Sequence, residues 1–246
     1  MPEHDLKEKP RTDGLADVLP PVRDRGPFED RREAGRALAH VLQSLGLKDP
    51  LVLALPRGGV PVAVEVARAL AAPLDLLLVR KIGAPGQPEL AVGAVAGLGG
   101  ATETLLDAGL VAATSAQASH IERETARALA ELQRRRQRYL KGRPPAAVAG
   151  RQVIVVDDGL ATGTTARAAL GALRALKPAY VLLAVPVAPA SALQGLAPLV
   201  DRLVCLWTPE PFFAVGAHYR DFRQVGDEEV LAALATAPSA ASPAQA

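Results

Sequence analysis

Apolar residues recur along this chain in two rhythms. Between positions 29 and 45, Ala34, Leu38, Val41, Leu42 and Leu45 fall on one face at helical spacing, which predicts a helix over Glu29–Leu45. The unbroken run Leu51–Leu55 then reads as a buried strand. Pro61–Leu70 is helical, with Pro in its first turn, and Leu74–Val79 is a second strand. Ala91–Ala96 and Thr102–Leu106 pattern as a hairpin joined by the Gly-rich Gly97–Gly100. A long helix is predicted over Ser115–Tyr139. Strands follow at Gln152–Val156, Tyr180–Val187 and Leu203–Leu206. Ala190–Leu196 and Asp227–Ala235 close the pattern as helices, the latter with Asp227 as its N-cap. Helices between apolar strands predict an α/β fold with a central, mainly parallel sheet covered on both faces.

The ends lack this periodicity. Residues 1–26 are polar and Pro-rich and read as a flexible arm, and 236–246 is an Ala/Ser/Pro tail expected to be disordered. One domain is expected over 27–235. With 246 residues and 49% hydrophobic content the chain can bury one substantial core, and two full domains would be a tight fit.

Charge adds little. The formal net charge is +2, which is no nucleic-acid signature. The basic residues are six Lys and 22 Arg. Arg suits phosphate binding, but Ala, Gly and Pro are abundant too, so genomic base composition is the preferred explanation. The single cysteine, Cys205, excludes an internal disulfide and reads as a small core residue. No apolar run reaches membrane-spanning length, and the charged N-terminus shows no secretory signal; a cytoplasmic, membrane-free protein is expected.

The chemistry concentrates in Val153–Thr165. A β-branched apolar run ends in Asp157 and Asp158, then a loop of small residues leads into an Ala-rich helical pattern that continues to about Leu176. Backbone N–H groups of such a loop and of the first helical turn converge on one concavity, and the helix dipole favours an anion there. Thr162, Thr164 and Thr165 add hydroxyl donors, and Gly163 permits close backbone approach. Two carboxylates beside a phosphate site make sense if the ligand carries hydroxyls as well; a ribose phosphate fits. Asp-Asp-Gly on its own is also ordinary turn chemistry; the Thr-Gly-Thr-Thr loop and the helix after it favour the functional reading.

This stretch resembles the 13-residue phosphoribosyl pyrophosphate (PRPP) motif of type I phosphoribosyltransferases. The resemblance covers most of 28–235 and implies that family's fold: a parallel sheet flanked by helices, plus a small hood built from terminal segments and the hairpin. It implies transfer of 5-phosphoribosyl from PRPP to a nucleobase, purine-like by preference, with release of pyrophosphate and with Mg²⁺ as cofactor. Asp157 and Asp158 would hold the ribose hydroxyls, with Mg²⁺ brought near them by PRPP, and Ala161, Thr162, Gly163, Thr164 and Thr165 the 5-phosphate. A PRPP-sensing regulatory protein of the same fold is the alternative.

Two further loops gain meaning from the resemblance. Leu55–Pro61 also follows a strand and precedes a helix; it corresponds to the loop that holds pyrophosphate, which implies roles for Arg57, Gly58 and Gly59. The family often carries a non-proline cis peptide there. Val79–Leu90 has two cations, two Pro and two Gly, reads as an exposed mobile loop, and corresponds to the lid that closes over PRPP. Arg80 and Lys81 would serve the pyrophosphate side. Glu89 is read as a solvated loop charge in preference to a catalytic group.

The pattern also departs from the family. Ala161 stands where hypoxanthine-guanine enzymes place a proton-shuttling Asp; the Ala-Thr-Gly loop and the Arg80–Gly86 spacing are closer to adenine-type members. Thr164 replaces a common Gly. The segment 207–222 holds five of the eight aromatics. Its order is similar to the C-terminal segment of purine enzymes, where an aromatic stacks on the base. Phe212 or Phe213 would do so here, or the group forms a small aromatic core. Tyr219 and Phe222 read as packing, and His218 has no catalytic role. The long helix, with its Arg134–Arg138 run, is expected at a packed face, and a homodimer is the expected assembly. Nucleic-acid binding is disfavoured, since aromatics make up only 3% of the chain and stacking platforms are scarce.

Overall fold

Apolar runs that helices cover on both sides become parallel strands, since neither face needs polar residues. The computed structural model describes residues 17–18, 26–98, 101–141, 143 and 146–238. Within them the chain forms β1 (Asp17–Val18), α1 (Arg31–Gln43), β2 (Leu51–Ala54), α2 (Gly59–Ala69), β3 (Leu74–Leu76), β4 (Leu78–Ala84), β5 (Gln87–Leu98) and β6 (Ala101–Leu106). It continues with α3 (Ala108–Ala113), α4 (Ala118–Tyr139), β7 (Gln152–Val156), α5 (Thr164–Ala175), β8 (Tyr180–Val187), α6 (Ala190–Leu196), β9 (Arg202–Trp207) and α7 (Asp227–Ala235).

Six strands form one parallel sheet in the order β1-β9-β8-β7-β2-β3. Side chains alternate between its faces. Val52, Ile154 and Leu182 join a core with Leu38, Leu42, Val62, Val66 and Val230 from α1, α2 and α7. Leu53, Val155 and Leu183 join the opposite core with Leu170, Leu173, Leu193 and Leu196 from α5 and α6. Each such fully buried side chain stabilises the fold by about 1.5–3 kcal/mol relative to exposure. The expected covered parallel sheet is therefore present.

Several boundaries differ from the sequence expectation. The predicted strand Leu74–Val79 breaks at Leu77, and β4 leaves the parallel sheet. The segment expected as a mobile loop, Val79–Leu90, is instead most of β4 and the start of β5, paired antiparallel. Its Gly and Pro residues suggested a loop, yet Pro85-Gly86 is only the two-residue turn between the strands, with Gly86 at φ 70°. Ile82 and Ala84 are buried, which is the apolar alternation of a strand. The predicted hairpin is present as β5–β6, longer than expected, with its turn residues 99–100 outside the described residues. These three strands form the second sheet, which packs on α4 and α5.

The long helix begins at Ala118, after the unpredicted α3; Ser115 has φ 50° and cannot be helical. α2 starts two residues early, at Gly59. Asp227 is the first residue of α7 and not its cap; Gly226 caps it, donating its N–H to Glu229 Oε2 at 2.9 Å. Asp17–Val18, inside the expected arm, pairs with β9. The rest of that arm through residue 25, and 239–246 of the expected tail, lie outside the described residues.

The segments leading into α1 and α7 meet. Phe28 N–H donates to His218 O at 2.9 Å and Arg220 N–H to Phe28 O at 2.8 Å. Phe28 is fully buried, its ring 5.4 Å from that of Tyr219. This junction lies where the two terminal segments of the expected hood come together, at the carboxyl end of β7.

Candidate active site

The site is assembled from loops that leave the carboxyl ends of neighbouring parallel strands, where α/β sheets bind ligands. β7 ends at Val156, and Asp157 and Asp158 follow. The loop after β2 runs beside them: Leu55 N–H donates to Val156 O at 2.9 Å. The Pro56–Arg57 peptide bond is cis, as in the family the sequence resembles. Gly58 and Gly59 are required by the closeness of the two loops. A Cβ on Gly58 would lie 2.1 Å from Asp158 Oδ2, and one on Gly59 2.9 Å from Asp157 Cα.

The third part of the site is the start of α5. Gly163 caps the helix at φ 73°, a conformation that favours glycine. No acidic side chain stands in its first turn, so the positive end of the dipole is uncompensated there. Thr162 Oγ1 and Thr164 Oγ1 are 2.9 Å apart, and Leu160 N–H anchors the loop to Val187 O at 2.9 Å. Ala161, Thr162 and Thr165 are exposed, and Thr164 is half-buried. The arrangement points first-turn N–H groups and threonine hydroxyls toward a place where an anion would be favoured.

Asp157 and Asp158 are adjacent, and Asp158 N–H donates to Asp157 Oδ1 at 2.9 Å. Burial, and then the charge of Asp158, push the Asp157 carboxyl well above the usual carboxylate range. Burial also raises Asp158, against the pull of Arg31. The pair is thus held in a state where added hydrogen-bond donors, such as a sugar diol, would favour ionisation.

Arg31 was not foreseen as a site residue. Its Nε donates to Asp158 Oδ2 at 2.7 Å and its Nη1 to Arg223 O at 3.0 Å. Its guanidinium lies 3.9 Å from the centre of the Phe222 ring. One sequence signal could have found it: a cation at the first helical position works against the helix dipole, so it needs another reason to be there. Tyr219, read as packing, does pack on Phe222 with ring centres 5.0 Å apart, but its hydroxyl also donates to Asp158 O. A cavity of about 350 Å³ opens here, lined by Arg31, Arg57, Gly58, Asp158, Phe222, Gln224 and Val225.

The other expected residues are less central. Arg57 lines this cavity and lies 3.7 Å from Asp227 Oδ1. Asp227 also pairs with Arg138 at 2.9 Å and accepts from the Tyr139 hydroxyl, which, ahead of its two Arg neighbours, holds its carboxyl below the usual range. The end of α4 thereby reaches the loop after β2. Arg80 and Lys81 stand exposed on β4 and line neither this cavity nor the larger one beside it. The side chain of Glu89 lies outside the described residues. Phe212 stacks on the buried His218 at 5.1 Å, and Phe213 is 83% exposed. Burial lowers His218 and pushes the Cys205 thiol up to about 12, so both are neutral near pH 7.

Among the described residues, no group of three or more His, Cys, Asp or Glu could hold a metal ion. Two carboxylates still suit Mg²⁺, which keeps several waters and takes further oxygens from a substrate's phosphates. Also among the described residues, no helix is long and apolar enough to cross a membrane.

Comparison with known proteins places this geometry. The model of the phosphoribosyl transferase domain family matches residues 29–196. Two Mycobacterium tuberculosis proteins, from strains CDC 1551 / Oshkosh and H37Rv, carry the provisional name phosphoribosyl transferase. Each is 48% identical over 207 residues, which is 84% of this chain and 46% of the relative. The chain thus spans about half the length of these curated relatives. A crystal structure of a Thermus thermophilus protein is 49% identical, with a TM-score of 0.75 over 85% of this chain and 97% of that one. With the family model matched over more than half of its length, the chain belongs to the phosphoribosyl transferase domain family.

Proposed function

We propose that the protein moves 5-phosphoribosyl from PRPP to a nucleobase, purine-like by preference, and releases pyrophosphate. The observation that carries this reading is the contact between the Asp157–Asp158 pair and the Gly58–Gly59 backbone, with the α5 start next along the same chain. A ribose between two phosphate-binding loops needs this order of parts.

In this reading Asp157 and Asp158 accept hydrogen bonds from the ribose hydroxyls and orient the ring. The N–H groups and hydroxyls of Ala161–Thr165 hold the 5-phosphate, and Arg57 with the Gly58–Gly59 backbone faces the departing pyrophosphate. Arg80 and Lys81 would join the pyrophosphate side only if β4 and its turn approach it. A ring nitrogen of the base attacks C1 as the bond from C1 to the pyrophosphate oxygen breaks, and the proton of that nitrogen passes to solvent. The positive charge that develops on the ribose is stabilised by the neighbouring carboxylates. Mg²⁺ bound with PRPP supplies charge neutralisation for the pyrophosphate. Positioning contributes much of the rate.

The second reading is a PRPP sensor without turnover. It is favoured by Ala161, which leaves the loop with no proton-transferring side chain next to the base. Phosphorus NMR of the full chain with Mg²⁺ and PRPP, with and without a pool of purine and pyrimidine bases, separates the two. Base-dependent pyrophosphate release is expected of the transferase. Unreacted PRPP with broadened signals supports the sensor, and sharp, unshifted PRPP signals overturn both.

A further inference from the structure

We propose that Arg31 is a positioning residue for the ribose site, fixing the Asp158 carboxylate against the Gly58 backbone. This rests on the phosphoribosyl reading above. It makes the carboxylate pair at the end of β7 depend on a side chain delivered by the terminal segments.

The geometry leaves Arg31 little freedom. Nε is bound to Asp158, Nη1 to Arg223 O, and the guanidinium plane is backed by Phe222. Its side chain is 10% exposed and that of Asp158 13%, so the pair is shielded from solvent and salt. Gly58 limits the same carboxylate from the other side, because even a methyl group there would overlap Oδ2. Tyr219 fixes the backbone of Asp158 through its carbonyl. Asp158 is therefore fixed at its carboxylate by Arg31 and at its backbone by Tyr219, both from the joined terminal segments, with the Gly58 backbone close against the carboxylate.

Arg31 also has no stand-in among the described residues. Of the other nearby cations, Arg57 lies toward Asp227 at 3.7 Å. The Arg223 guanidinium lies toward Asp221 and Glu229, each at 3.7 Å, and contributes only its carbonyl here. The groups facing Asp158 are Asp157, Arg31 and the Tyr219 hydroxyl, with Arg57 on the cavity wall. Of these only Arg31 is a cation in contact. A carboxylate meant to accept from a diol must be ionised and aimed, and Arg31 serves both needs.

The test uses the full chain with ¹³C-labelled aspartate carboxyls, in wild type, R31M and R31K, with D158N identifying the resonance. R31M is expected to move the titration of the carboxyl pair up by about one pH unit or more, the scale of losing an opposite charge at contact. Calorimetric affinity for magnesium–PRPP at one fixed pH is expected to fall about tenfold in R31M. R31K is expected to restore the titration to within about half a unit while keeping part of the affinity loss. A point charge cannot hold Asp158 and Arg223 O and lie flat on Phe222 at once. An unchanged titration in R31M, or wild-type affinity for magnesium–PRPP in that variant, overturns the proposal. If R31M fails to fold, R31K decides, and wild-type affinity in that variant overturns it. A wild-type protein that does not bind magnesium–PRPP overturns the function proposed above instead, and the R31M titration still judges Arg31.

Discussion

The candidate site has two halves built in different ways. One half consists of the loops after β2 and β7 and the start of α5, each adjoining an element of the parallel sheet. Its parts lie close in sequence to strands whose register is set by backbone hydrogen bonds. The other half consists of Arg31, Tyr219 and Phe222, brought to the carboxylates by the pairing of Phe28 with His218 and Arg220. In the proposed reading the first half would hold phosphates and sugar through backbone geometry. The second shapes the charge and position of one carboxylate through side chains. On that reading local chain geometry would decide where the ligand goes, and long-range packing how the site is tuned.

The largest expected effect breaks the first half. D157N with D158N should lower turnover by at least about a hundredfold, the scale of losing preorganised electrostatic groups, while the circular dichroism spectrum stays native. Wild-type turnover in the double variant would remove the carboxylates from the reaction. D157N alone carries a stability test with a definite sign. The Asp157 carboxyl is raised in the folded state by burial and by Asp158, so its ionisation opposes folding. That penalty is absent below the unfolded value near 3.9 and complete above the folded value. D157N should thus melt higher than wild type at pH 7.5, with the gap closing toward pH 4. Each kcal/mol gained is worth roughly 2–4 °C in a domain of this size. A lower melting point at pH 7.5 would contradict the burial argument.

The second half is tested by comparing F28A with L170A. Both positions are fully buried, Phe28 at the terminal junction and Leu170 beneath the sheet. Each variant should lose about 2–5 kcal/mol in urea unfolding. Only F28A should also weaken magnesium–PRPP binding in the fraction that remains folded, because Phe28 supports the segment that carries Arg31. Equal affinities in the two variants would show that the junction does not shape the site.

The same division explains what the sequence made legible. Val153–Thr165 could be read because a strand, two acids, a glycine and a helix start act through local geometry, and their order survives in one dimension. Gly58 and Gly59 were visible for the same reason, although the carboxylate that requires Gly58 lies about a hundred positions away. Arg31 was not visible: its partner Asp158 is 127 residues distant, and no periodicity links them. Most of β4 reads as a loop because Gly83, Pro85 and Gly86 outweigh the buried Ile82 and Ala84. Glycine and proline mark turns, but a two-residue turn needs only two of them. The link from Tyr139 and Arg138 to Asp227 was likewise hidden, although it gives the end of α4 a task at the site.

A smaller effect sharpens the first half. T162V keeps the shape of the side chain and removes the hydroxyl that lies 2.9 Å from Thr164 Oγ1. The loop keeps its anchor from Leu160 to Val187 O, so the backbone donors should stay in place. Magnesium–PRPP affinity should fall by about 1–3 kcal/mol, the range for a lost hydrogen bond to a charged group. Unchanged calorimetry would remove Thr162 from the phosphate site and leave the helix N–H groups as its donors.

The smallest stability effect belongs to Phe213, and it asks whether the second half extends to the base. Its ring is 83% exposed, whereas Phe212 is engaged with His218. Replacing an exposed side chain away from packing and hydrogen bonds changes stability by no more than about 0.5 kcal/mol. F213A should therefore unfold at the wild-type urea concentration. If Phe213 closes on the base, F213A should raise the KM for the base several-fold and leave the KM for PRPP unchanged, since only the acceptor would meet that ring. F212L would do the reverse in stability terms, loosening the stack on His218. An F213A variant with wild-type KM for every accepted base would confine recognition to the cavity beside Arg31, Phe222 and Gln224.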